Sequence, residues 1–136
     1  MIIFLDFDGT VVEHNYPIIG AANPGATDVI RSLQKEGHEI ILNTMRADFN
    51  DGSLEEAMSY LNSTELDLEE IILFEPKKVQ PQAYPSELHS HQKNLFIDDT
   101  GMNAPLRPNI MLPVGMMVDW RIVRSDLLRW GLIKSI

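Results

Sequence analysis

Residues 2 to 6 (IIFLD) form a short continuous apolar run that gives way to polar residues and Gly9, the pattern of a strand buried on both faces. Similar runs recur at 39 to 44 (EIILNT), 70 to 75 (EIILFE) and 94 to 98 (NLFID), and a fifth lies within 110 to 118 (IMLPVGMMV). Between these runs the period changes. A helix is expected from about Pro24 to Glu36, with Asn23 as N-cap, Pro24 at the first helical position and Gly37 as the stop. Its Val29, Ile30 and Leu33 fall on one face. Ser53 and Glu56 have capping-box spacing ahead of a helix in which Leu54, Ala57, Met58 and Leu61 share a face. Trp120, Val123, Leu127 and Trp130 recur at helical spacing near the end of the chain.

Doubly buried strands alternating with helices imply βαβ crossovers and a parallel sheet covered on both sides. The expected fold is α/β in three layers, and a chain of 136 residues suits one domain spanning 1–136. In such sheets ligands bind beyond the carboxyl ends of the strands, where strand order reverses.

Composition narrows the chemistry. With no cysteine there is no disulfide or thiolate metal site, so a metal would be held by oxygen or imidazole, which favours a hard cation. The opening MIIFLDFDGT has no basic n-region and reaches an aspartate at position 6. It reads as neither a signal peptide nor a membrane span, and a cytoplasmic location is expected. A net charge of -9 argues against an obligate nucleic-acid or anionic-membrane partner. An anionic substrate remains compatible, because one divalent cation and a lysine invert the potential inside a single cleft.

The polar residues that follow the strands are not scattered. The first strand ends in Asp6-Phe7-Asp8-Gly9-Thr10, the second in Asn43-Thr44, the third runs into Pro76-Lys77-Lys78, and the fourth ends in Asp98-Asp99. All four clusters fall at carboxyl ends, on one rim of the sheet. In this order DFDGT, Thr44, a lysine after the third strand and Asp98-Asp99 resemble the four motifs of the haloacid dehalogenase (HAD) superfamily of hydrolases, over residues 1 to about 100. The resemblance implies a Rossmann-like sheet of order 5-4-1-2-3, with Asp6 and Asp98 on adjacent strands, and a Mg²⁺-dependent phosphatase.

The residue types suit that chemistry. A carboxylate attacking phosphorus in line forms an aspartyl-phosphate and splits one hard displacement into two easier ones, a role for Asp6. Asp8, two residues on, suits the acid that protonates the leaving group and later activates water. Four aspartates in one cleft repel one another, and a divalent cation relieves them. Asp6, the Asp8 backbone carbonyl and Asp98 are the expected Mg²⁺ ligands, with Asp99 beside them. The Thr44 hydroxyl and a lysine would bind the phosphoryl oxygens. Lys77 and Lys78 both lie at the right rim; Lys93 precedes the fourth strand and should lie at the other.

The stretches from Gly9 to Gly37 and from Met45 to Leu68 each leave room for one loop and one helix. No cap domain is expected, and the cleft should be open. Its substrate would be a phosphorylated small molecule or the phosphorylated end of a macromolecule, with a neighbouring subunit of a homo-oligomer as one source of specificity. Each residue also has a plainer reading: Thr44 as a strand-end cap, Arg46 as a solvated cation, His89 and His91 as an exposed loop. The competing functions are another HAD phosphotransferase, or a degenerate domain that binds phosphate or a protein partner without turnover.

Overall fold

The computed structural model describes residues 1–134. Its elements in chain order are β1 (Ile2–Leu5), α1 (Ala26–Lys35), β2 (Glu39–Leu42), a 3₁₀ turn (Met45–Asp48), α2 (Ser53–Leu61), β3 (Ile72–Leu73), β4 (Asn94–Ile97), β5 (Leu106–Pro108), β6 (Met116–Val118) and α3 (Trp120–Arg129). The first four strands form one parallel sheet of order β3-β2-β1-β4. Leu5 is in register with Leu42 on one side and Ile97 on the other, so Asp6 and Asp98 leave the sheet side by side. Among the described residues no helix is long and apolar enough to cross a membrane.

The fifth expected strand does not join this sheet. Only Met116–Val118 of that run is extended, and it pairs antiparallel with Leu106–Pro108 in a separate hairpin. Pro113 and Gly115 break the run into a turn, and Pro108 lacks the N–H a central strand must donate. Buried Glu13 ties the hairpin down by accepting N–H bonds from Ile110, Met111 and Leu112 at 2.8, 2.7 and 2.9 Å. Burial opposes the charge on Glu13, but these three donors hold its carboxyl below the usual range.

The three-layer expectation also needs correction. Ile3, Leu5, Leu95 and Ile97 belong to one hydrophobic cluster, and the buried side chains of all three helices join it. Two crossovers in the same direction, β1 to β2 and β2 to β3, place α1 and α2 on one face by the right-handed rule. The return from β3 to β4 carries no helix at all. Alternation along the strands turns Phe4 and Phe96 to the other face, where they stack at 4.5 Å while Phe74 meets Phe4 edge-on at 4.6 Å. That face is covered unevenly: Phe4 and Phe96 are buried, but at the β3 edge Phe74 is 36% exposed and Ile72 49%.

The helices bury the expected faces but are capped differently. Gly25 precedes α1 without a side-chain cap, and Asn23 instead donates from Nδ2 to the carbonyls of Thr10 and Val118, each at 2.8 Å. Gly52 precedes α2, and the Ser53 N–H bonds Asp51 Oδ1 at 3.0 Å, so the Ser53–Glu56 capping box is not used. In α3, Trp120, Val123 and Leu127 are buried and Asp119 caps the first turn.

Candidate active site

Asp6 follows β1 directly, and its N–H still extends the ladder by bonding the Ile97 carbonyl at 3.0 Å. The Thr10 hydroxyl donates to Asp6 Oδ2 at 3.2 Å and accepts from the Asp99 N–H at 3.3 Å, which links the loops after β1 and β4. Trp120 Nε1 fixes the same loop by donating to the Thr10 carbonyl at 2.8 Å. Gly9 lets these loops meet. Its φ is +79°, and a Cβ there would stand 2.2 Å from Asp99 Oδ2, so a side chain would be strained and would clash.

Among Lys77, Lys78 and Lys93, it is Lys78 that meets the carboxylates. Its Nζ lies 3.3 Å from Asp6 Oδ1 and 2.8 Å from Asp98 Oδ2. Lys77 is exposed, and the carbonyl of Lys93 bonds the Ile2 N–H at the opposite end of β1. Asp98 Oδ1 accepts from the Thr100 N–H and hydroxyl at 2.9 and 2.7 Å. Asp98 Oδ2 is buried without an aligned hydrogen bond, so its contact with Lys78 is one of charge rather than of donor geometry.

One oxygen each from Asp6, Asp98 and Asp99 lie within 4.8 Å of one another. Burial, then the charge of Asp98, push the Asp6 carboxyl well above its ordinary range, while Lys78 pulls the other way. Burial likewise raises Asp99. Burial alone would lower the Lys78 ammonium, yet Asp6 and Asp98 hold it above its usual value. The cluster is short of positive charge. With three carboxylates gathered around one ammonium, this set of hard oxygen donors fits a hard cation.

Asp8 stands beside this cluster, but its carboxylate is held by Arg46. Its Oδ2 accepts from Arg46 Nε and its Oδ1 from Arg46 Nη2, both at 2.8 Å. Arg46 is 0% exposed, and its remaining N–H groups reach the carbonyls of Pro17, Ile18 and Ser53 at 3.2, 3.1 and 3.1 Å. All five guanidinium donors are therefore used. Phe7 and Tyr16 face the guanidinium, each ring centroid 5.2 Å from Cζ, and the Tyr16 hydroxyl bonds Asp51. The reading of Arg46 as a solvated cation is thus corrected: it joins the loop after β1 to the start of α2.

Thr44 is fully buried. Its hydroxyl accepts from the Arg46 N–H at 3.2 Å and caps the 3₁₀ turn, and it does not line the pocket. That pocket measures about 180 Å³ and is walled by Asp6, Asp8, Lys78, Asp99, His14 and Met45 with Thr100. The sequence carried no signal for His14 or Met45, which sit beside motifs rather than in them. His89 and His91 are exposed and belong to no metal-binding cluster among the described residues. The cleft is less open than expected: Asp6 and Asp8 are each 3% exposed, because Lys78 lies against one and Arg46 against the other. No helix or strand is inserted between β1 and α1, and only the 3₁₀ turn and α2 stand between β2 and β3.

No family model matches the chain, and no protein of curated function does. Among solved structures it is similar to a conserved protein coded by a locus of Bacteroides thetaiotaomicron, with a TM-score of 0.56 and 29% identity over 99% of this chain and 93% of that one.

Proposed function

We propose that the chain is a Mg²⁺-dependent phosphomonoesterase of the HAD type that works through an aspartyl-phosphate on Asp6. The observation that supports this reading most is the meeting of Asp6, Asp98, Asp99 and Lys78 beyond the carboxyl ends of β1 and β4, with Asp6, Asp99 and Lys78 lining one small pocket there. Asp6 attacks phosphorus, the ester oxygen departs with its bonding pair and takes up a proton, and water then displaces the carboxylate to release phosphate. The Thr10 hydroxyl orients the Asp6 carboxylate for the attack. Asp6, Asp98 and the Asp8 carbonyl would hold Mg²⁺ with Asp99 beside them, and the ion supplies charge neutralisation and Lewis acidity there. Lys78 turns its ammonium from the carboxylates to the phosphoryl oxygens. Thr44, fully buried and outside the pocket lining, is assigned no such contact. A pocket of about 180 Å³ takes a phosphoryl group and little more, so the rest of the substrate, small molecule or macromolecular end, would lie outside it.

One observation favours a second reading. With both oxygens held by Arg46, Asp8 must release at least one before it serves as the leaving-group acid. A domain in which that never happens would bind phosphate without turnover. Hydrolysis of p-nitrophenyl phosphate, phosphorylated metabolites and 3′- or 5′-phosphorylated oligonucleotides, with and without Mg²⁺, separates the two. Mg²⁺-dependent turnover that disappears in Asp6→Asn is expected. Wild-type protein that binds Mg²⁺ and phosphate yet hydrolyses nothing in the panel would overturn the phosphatase and leave the binding domain.

A further inference from the structure

A second cavity, about 470 Å³, lies between the length of α1 and the first turn of α3. It shares no lining residue with the carboxylate pocket. We propose that it binds a small planar organic anion, an aromatic or heteroaromatic ring bearing a phosphate, sulfate or carboxylate group.

The charge pattern carries the first part of the inference. Arg31, Lys35, Arg121 and Arg124 all line this groove, four of the 11 lysines and arginines in a chain of net charge -9. Asp28 is the one acid among its lining residues. Arg31 is held by Asp28 Oδ1 at 3.1 Å and by the Asp67 carbonyl at 3.2 Å. Arg121 is held in a fork by Asp119 at 3.1 and 3.0 Å. Arg124 is half-buried beside them, and among the described residues it makes no side-chain hydrogen bond or ion pair; nor does exposed Lys35. An anion in the groove would give both cations a partner.

Shape and walls carry the second part. The volume falls in the range of small-molecule sites and is too small for a folded segment of another protein. Gly25 presents no side chain at one end, Val29 and Trp120 form an apolar floor, and Ser32 stands on the wall. Guanidinium groups held in place by carboxylates offer flat cationic faces, on which an aromatic ring stacks better than an aliphatic body. The floor also touches the loop after β1: the Trp120 indole N–H donates to Thr10, whose hydroxyl holds Asp6. An occupant therefore registers at the indole.

Naphthalene-1-sulfonate is a suitable probe, since it has the ring and the anion but no phosphoester to be turned over. The full ¹⁵N-labelled chain is titrated by calorimetry and by the indole N–H resonances of its two tryptophans. One saturable site is expected, with the Trp120 signal shifting and that of Trp130, outside the groove, unmoved. Arg124→Glu should weaken binding about tenfold or more, Ser32→Trp should block it, and Lys93→Glu, at a distant cation, should leave it unchanged. Lys35→Glu replaces Arg124→Glu if the latter does not fold. Asp6→Asn should also leave it unchanged, which keeps the result separate from the phosphatase reading. Absence of saturable binding, or affinity that survives both charge reversal and Ser32→Trp, would overturn the proposal. So would an acidic peptide that binds this groove where the sulfonate does not.

Discussion

Replacing Arg46 by methionine keeps much of the side-chain volume and removes every donor. Asp8 would then be a buried carboxylate with both oxygens stranded, and the carbonyls of Pro17, Ile18 and Ser53 would lose a partner. Removing one member of a buried ion pair costs ~3–5 kcal/mol. Each carbonyl left dry adds ~1–3 kcal/mol, less where water re-enters. Contributions within one network do not add, so a loss of about 4 kcal/mol or somewhat more is the reasoned value. Against a typical stability of ~5–15 kcal/mol for a single domain, that brings the protein close to unfolding. The assay is urea unfolding at neutral pH of four proteins: wild type, Arg46→Met, Asp8→Asn and the double variant. If the stranded charge dominates, the double variant should be about 2 kcal/mol more stable than Arg46→Met alone, because the amide is neutral. A loss below about 1 kcal/mol in Arg46→Met, or no recovery on adding Asp8→Asn, would refute this account of the clamp.

Three further outcomes follow from the carboxylate cluster. Asp6 and Asp99 bind protons more tightly folded than unfolded, so their contribution to stability is full below the ordinary carboxyl range, about pH 4, and is lost as pH rises through their raised values. Added Mg²⁺ competes with those protons and should raise the melting temperature more at pH 8 than at about pH 5; a shift that does not depend on pH would count against the site. By the same sign, Asp6→Asn should melt higher than wild type at pH 8 without metal while losing turnover, and a lower melting temperature would show that its burial is not the strain inferred. Lys78→Ala should weaken inorganic phosphate binding in calorimetry with Mg²⁺ present, and Lys77→Ala should not; equal effects would mean that Lys78 has no special place.

The periodicities that fold the chain were legible because burial writes them directly: IIFL, EIIL and NLFI are strands in parallel register, and Val29, Ile30 and Leu33 form the face of α1. The adjacency of Asp6 and Asp98 came from the resemblance and is met in the sheet. What stayed hidden depends on long-range partners. IMLPVGMMV is apolar enough for a strand, but apolarity does not say which neighbour a strand will have, and its Pro-Val-Gly turns it into half of a hairpin. Asn23 reads as a helix cap until Thr10 and Val118 are brought to it. Arg46 could not be recognised as buried, since arginine is nearly always solvated unless paired, and its partner lies 38 residues away. Lys77 and Lys78 are equivalent by position, and only an irregular chain path distinguishes them.

The sheet face that carries Phe4, Phe74 and Ile72 has a consequence for how the protein behaves in concentrated solution. Among the described residues no helix is laid across it, and Ile72 and Phe74 are partly bare at the β3 edge, so two molecules would gain by pressing these faces together. Their mutual repulsion opposes that gain, and it comes from a net charge of -9. The repulsion is screened over ~8 Å at physiological salt and fades as carboxylates protonate. Acidification or high salt therefore removes the barrier to association before it unfolds a single molecule, and light scattering should rise while the circular dichroism spectrum is still that of the native chain.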